Sequence, residues 1–318
     1  MTIRILLSFT LSLAIAGAGA AQPTKRVFLY QGTCEASAAV MLEGGMFVVG
    51  DDDKKDLLVY RTGQAAVHQT LKVSDFPGLK KKVDLEGAAR IGDVIYWIGS
   101  HSRKNNGDED LDRHRLFAIK VTTVEGQLVA QAVGKPYEGL LADLAKDERF
   151  ARFNLAAAAM LAPGAAGGLN IEGLAATKDG GLLIGFRSPV HGGKALIVPL
   201  GNPQKILNGE KPSFGDPIEL DLGGLGIRSL ERWPEADAFL VIAGSVADGG
   251  RFQAYRWSGK ESDPPQPIAD AGLTLLVPEA VFFDPASPSE LIILSDDGDA
   301  CPEPQEAFRS RRVKLPVQ

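Results

Sequence analysis

Cysteine occurs only twice in this chain, at Cys34 and Cys301. The two are either one disulfide or a pair of buried free thiols, and an oxidising compartment favours the bond. Long apolar runs are missing too. After the N-terminus no stretch approaches about 18 apolar residues, which excludes a helical membrane span in the rest of the chain. Positive charge is in deficit, with 34 Lys and Arg against 40 Asp and Glu. No nucleic acid and no anionic membrane surface is therefore expected as a partner, because both select basic faces. The sequence holds no G-x-S-x-G, H-E-x-x-H, Walker or Rossmann pattern, so the chemistries those motifs signal lose their support.

The one strongly apolar stretch is at the start. Arg4 precedes the run Ile5–Ile15, and Ala18-Gly19-Ala20 supplies a small-residue cleavage pattern before Ala21-Gln22-Pro23. Residues 1–20 are expected to be a signal peptide, with a retained anchor as the alternative. No Cys follows the apolar run, which argues against a lipidated N-terminus. The expected product is periplasmic or secreted, and residues 26–318 form one domain.

That remainder is repetitive. Five segments share one order: a charged residue, a small residue, an apolar strand, a polar turn and a second apolar strand. They are "CEASAAVMLEGGMFVVGDDD" from Cys34, "LEGAARIGDVIYWIGSHS" from Leu85, "IEGLAATKDGGLLIGFRS" from Ile171, "IRSLERWPEADAFLVIAGS" from Ile227 and "PEAVFFDPASPSELIILSDD" from Pro278. Their turns are built from Gly, Asp and Pro, the residues of hairpin loops. One or two further strand-like runs follow most units, such as Arg115–Val121 and Arg251–Trp257. Four antiparallel strands in about 50 residues describe a propeller blade. The fold expected is an all-β, five-bladed antiparallel β-propeller, with six blades as the rival. The widest interval, between Glu86 and Glu172, contains residues 136–161, where Leu140, Leu141, Leu144 and Ala145 recur at helical spacing. A helical insertion explains that interval better than a sixth blade.

Strand direction then gathers the charged residues. The start of each innermost strand and the end of the next lie on one face, so Glu35, Glu86, Glu172, Arg228 and Glu279 should surround one mouth of the central channel. The loops after the second strands should border them, and the helical insertion belongs on the same face as a lid. Cys34 and Cys301 would occupy neighbouring blades on that face. The run Lys25–Gln31 would close the ring beside Arg311–Pro316.

The segments CEAS, LEGAA and IEGLAA, with the loops GDDD and SDDGD, resemble a family of exported bacterial propellers known only as a domain of unknown function. More distantly the chain is similar to phytase-esterase-like and gluconolactonase-like propellers, whose channel carboxylates hold a divalent metal. That resemblance implies Glu35, Glu86, Glu172 and Glu279 as ligands, and Arg228 departs from it by replacing an acid. Converging carboxylates suit Ca²⁺, which takes six to eight oxygens. Asp51, Asp296 and Asp297 are expected to supplement them. The alternative is an ion-pair ring in which Arg228, Arg187 and Arg103 neutralise the acids. Asp108–Asp112 opens like an EF-hand loop, but Arg113 and Ile119 stand where Gly and Glu are needed, and that motif is rejected.

His101 and His191 add acid–base groups to the same face, with Arg187 beside them, and Arg103, Arg187 and Arg228 add donors for a small anionic ligand. Together with a cation they fit hydrolysis of a phosphoester or lactone. A non-catalytic propeller that binds a ligand or a protein partner is the competing class.

Overall fold

In a computed structural model, the described residues are 26–247, 249–301 and 305–316. They form five four-stranded antiparallel sheets arranged as propeller blades. The expected signal peptide at residues 1–20 lies outside the described residues. The N-terminal strand β1 (Val27–Gln31) stands apart in sequence from the blade it joins. The first blade contains β2 (Ala36–Met41), β3 (Met46–Asp51), β4 (Leu57–Arg61) and β5 (Gln69–Leu71). The second contains β6 (Leu85–Ile91), β7 (Val94–Gly99), β8 (Leu116–Val124) and β9 (Gln127–Tyr137). The third follows with β10 (Asn170–Ala176), β11 (Leu182–Ser188), β12 (Ala195–Leu200) and β13 (Ile218–Leu220). The fourth comprises β14 (Gly226–Trp233), β15 (Ala238–Gly244), β16 (Phe252–Trp257) and β17 (Gln266–Ile268). The last is built from β18 (Pro278–Asp284), β19 (Ser287–Ser295) and β20 (Ala307–Lys314), with β1 as its outer strand.

Burial follows position in the blade. The inner strands β2, β7 and β15 are buried at every residue, because both faces of a blade pack on neighbours and the usual two-residue alternation disappears. The outer strand β9 alternates between exposed and half-buried residues instead. In the second blade's hairpin Gly92 takes φ 62°, a conformation that costs an L-residue energy and a glycine little.

The ring closes as expected, at a shifted register. β1 pairs with β20 from Val27↔Arg311 to Gln31↔Ala307, so the partner strand begins four residues before the expected Arg311. Cys34 and Cys301 form a disulfide with their Cα atoms 5.5 Å apart.

The long interval is helical, with α1 (Leu140–Lys146), a 3₁₀ turn (Glu148–Phe153) and α2 (Leu155–Ala158). It is a wedge more than a lid. Leu140, Leu144, Phe150, Phe153 and Leu155 are buried in one cluster with Tyr96, Ile98, Ile171, Ile184 and Leu196 of the second and third blades. Only its tail, Ala162–Ala165, reaches the channel mouth.

Candidate functional site at the channel mouth

The innermost strand of each blade (β2, β6, β10, β14 and β18) carries a bulge at its channel end. The register slips between Ala36 and Ala38, Leu85 and Gly87, Ile171 and Gly173, Ile227 and Ser229, and Pro278 and Ala280. The extra residue at each slip is Ser37, Glu86, Glu172, Arg228 or Glu279. A bulge re-aims a side chain away from the regular pleat, and here four charged groups turn toward the axis.

This register corrects the first unit. Its bulge residue is Ser37, and Glu35 sits two positions earlier, level with Asp84 and Asn170 of the next two blades. Glu35 still faces the same space: Glu35, Glu86, Glu172, Arg228, Glu279 and Asp296 all line one cavity of about 700 Å³. The same register explains the loops. Asp52, Arg187 and Asp296 each follow the residue paired across the slip, and all three line the cavity. Asp51 points inward. It accepts the Thr33 hydroxyl and the amides of Asp53 and Lys54, the latter two at 2.6 and 2.7 Å.

The charges divide into two halves. On one side Arg228 bridges two acids: its Nε lies 3.2 Å from Glu172 Oε2, and its Nη2 pairs with Glu279. Arg187 donates to Glu172 at 3.0 Å and to the Ser245 carbonyl at 3.3 Å, and Asn170 donates to Glu172 at 2.8 Å. Glu172 and Glu279 are thereby neutralised, so this half matches the ion-pair alternative. Asp84 and Asp297 have their own cations, Arg113 at 2.9 Å and Arg309 at 2.5 Å.

On the other side Glu35, Asp52, Glu86 and Asp296 have no ion pair among the described residues. Burial pushes Asp52 up to about 9, helped by a hydrogen bond to Glu35 and by the charges of Glu35, Asp84 and Asp296. Glu86 is raised well above the carboxylate range, first by burial and then by Glu172, Asp84 and Asp52. It keeps some exposed area only because the cavity opens onto it. Burial also raises Asp296, and it brings Asp51 to about 7. Oxygens of Glu35, Asp51 and Asp52 lie within 4.8 Å of one another, a spacing that one oxygen-loving cation can span.

Three expected site residues fall elsewhere. His101 is buried with φ 55°, hydrogen-bonds the Gly99 carbonyl at 2.9 Å and stacks on His114. Burial lowers it to about 3, so it is neutral and away from the cavity. His191 lies near the outer rim, 3.1 Å from Glu219 and against the Phe153 ring. Arg103 holds the wedge: it donates to the carbonyls of Ala159 and Gly107, each at 3.1 Å, and approaches the Met160 sulfur. All three were placed by loop membership, which does not reveal which way a side chain turns. Loop membership likewise does not separate Asp52, which lines the cavity, from Asp51, which does not.

Below the ring the channel shrinks to a void of about 10 Å³ lined by Ser37, Leu174 and Ser229. A separate cavity of about 380 Å³, bordered by Met41, Arg90, Glu231 and Phe282, lies beyond it.

The fold is similar to several solved structures. Aldose sugar dehydrogenase from Streptomyces coelicolor in its PQQ-bound form is 10% identical, with 92% of this chain and 100% of that chain covered at a TM-score of 0.44. A protein of unknown function from Dyadobacter fermentans is 12% identical over 87% of this chain and 76% of that one, at 0.43. A gluconolactonase from Xanthomonas campestris is 11% identical over 89% and 78%, at 0.40. At these levels the likeness concerns overall shape alone. No curated protein matches the chain. A family model described as "Protein of unknown function (DUF3616)" matches residues 35–135 and 113–279, which between them hold every ring residue, and the chain belongs to that family.

Proposed function

We propose that the channel-mouth cavity is a cation-dependent hydrolytic site for a small ester or lactone in an exported protein. The observation that carries this reading is the division of the cavity's charges. Glu172 and Glu279 are satisfied by Arg228, while Glu35, Asp52, Glu86 and Asp296 share a half-buried space with no ion pair among the described residues. Carboxyls crowded this closely are relieved either by protonation, the direction in which Asp52 and Glu86 are shifted, or by a cation that displaces those protons. An all-oxygen donor set favours a hard ion such as Ca²⁺. Glu35, Asp51 and Asp52 fit as its ligands, with Glu86 and Asp296 bordering it. A divalent cation there would supply Lewis acidity to a substrate carbonyl.

The protein's own groups do the rest. Glu172 and the Ser245 carbonyl fix Arg187 at the cavity wall, where its positive charge offsets part of the acidic lining. Phe252 and Ala162–Ala165 form an apolar wall that shields bound substrate from water. Excess acid in the lining disfavours a highly charged phosphoester and favours an uncharged lactone. The disulfide supports an oxidising compartment.

Purified mature protein, stripped with chelator and titrated calorimetrically with Ca²⁺, should take up one ion per chain. Lactone hydrolysis should appear with the ion and vanish on chelation. Protein that takes up no divalent ion loses this reading, and the Glu172–Arg228–Glu279 triad then favours the alternative, a non-catalytic binding propeller.

A further inference from the structure

The disulfide sits beside the candidate site as well as at the seam of the ring. Cys34 immediately precedes Glu35, and its carbonyl accepts the Asp297 amide at 2.8 Å. Glu35 makes a β-bridge with Asp296. Gly298 and Ala300, just before Cys301, form part of the cavity wall. Contact there is close: a Cβ on Gly298 would lie 2.6 Å from Glu35 Oε1 and 2.9 Å from its Cγ. Closure of the ring has separate supports. β1 and β20 pair over five residues, the Gly32 amide donates to the Glu306 carbonyl at 2.9 Å, and Tyr30 packs on Phe47, Tyr60 and Phe308.

We infer that the Cys34–Cys301 disulfide is a redox clamp: it positions Glu35 against the 296–301 loop, so the oxidised protein has an assembled acidic half-site and the reduced protein a closed propeller with that half-site loosened. Cys34 is buried while Cys301 keeps partial exposure, so an attacking thiolate reaches Cys301 first. A dithiol reductant forms a mixed disulfide with Cys301 and releases the Cys34 thiolate. Its second thiol then attacks the mixed disulfide, leaving as a cyclic disulfide and releasing the Cys301 thiolate. The two thiol protons end on Cys34 and Cys301, and two electrons pass to the protein. Cys34, Cys301 and Gly298 are positioning residues acting through Glu35.

This inference uses the cation site proposed above for one of its two readouts, and amide exchange supplies the other. Folded, metal-stripped protein is compared with and without dithiothreitol, alongside the Cys34→Ser/Cys301→Ser double variant. The amides of Glu35 and Asp297 should exchange about tenfold faster after reduction, with those of β3 and of the β1–β20 ladder within about twofold. Ca²⁺ affinity should fall about tenfold. In oxidised protein, Gly298→Ala should weaken Ca²⁺ by a similar factor while leaving the melting temperature unchanged, because its added methyl displaces the Glu35 side chain. If oxidised protein binds no Ca²⁺, the hydrolase reading fails and the exchange pattern alone judges the clamp. Unchanged exchange at Glu35 and Asp297 overturns it. So does equal acceleration in the β1–β20 ladder, or global unfolding on reduction, since either makes the bond a closure device. Unchanged Ca²⁺ affinity on reduction, in protein that binds the ion when oxidised, overturns it as well.

Discussion

Glu231 lies at the lower end of the channel, next to Arg232 on β14, and borders the second cavity with Met41 and Phe282. Burial pushes its carboxyl up to about 8, against hydrogen bonds from the Phe283 and Arg232 amides that pull the other way. The folded state therefore holds a proton between the ordinary value of 4.5 and about 8, where the unfolded chain has lost it. Glu231 favours folding at the acidic end of that window and progressively less as pH rises through it. Chemical denaturation from pH 4 to 9 should show Glu231→Gln gaining on the wild type as pH increases, by on the order of a few kcal/mol. A constant difference across that range would refute the assignment. Arg228 gives the opposite kind of prediction. Arg228→Met leaves Glu172 and Glu279 buried together and should destabilise by about 3–5 kcal/mol. Adding Glu172→Gln and Glu279→Gln should restore much of the loss, and a single-variant loss below about 1 kcal/mol would contradict the triad. At this scale the sequence was partly legible. The charge-plus-small pattern located four ring residues, because the bulge that aims each side chain recurs with it. It misplaced the first unit, where "CEAS" imitates the pattern two positions early and the bulge falls on Ser37.

Among the elements, the helical insertion was readable from leucine spacing, but its placement was not. Amphipathic spacing shows that a face is buried and does not name the surface that buries it. Phe150 and Phe153 decide the matter by entering the gap between the second and third blades, while Arg149 and Arg152 pair with Asp216 and Glu219 at the outside. Arg103 ties the end of this wedge to the loop after β7. Its loss should loosen the segment that forms one cavity wall without unfolding the blades. Arg103→Ala is expected to lower global stability by only about 1 kcal/mol. Limited proteolysis should nevertheless cut faster between residues 159 and 168. Cleavage at the wild-type rate would mean that the apolar contacts of the wedge hold its tail unaided.

For the whole molecule, the ring is secured twice. The disulfide spans 267 residues, a loop worth about 5–6 kcal/mol in the unfolded-chain entropy model. Strand exchange by β1 adds Tyr30, whose ring contacts Phe47, Tyr60 and Phe308 at centroid distances of 5.1–5.4 Å. Tyr30→Ala should cost about 3–5 kcal/mol in oxidised protein, read as a lower urea midpoint with a single transition. A loss below about 1 kcal/mol would mean that the disulfide alone holds the seam. Blade number and closure were legible because hairpin chemistry repeats and the two cysteines fall in blades that become neighbours.

The constriction of about 10 Å³ beneath the ring bears on traffic through the molecule. It admits nothing larger than about one water, so the propeller is a cup with a floor and not a pipe. Whatever enters under the tail of the wedge must leave by the same opening. A product must vacate that doorway before the next substrate can pass, so for a hydrolase of this shape product and substrate exclude one another. Each molecule's dwell time is then set at the entrance.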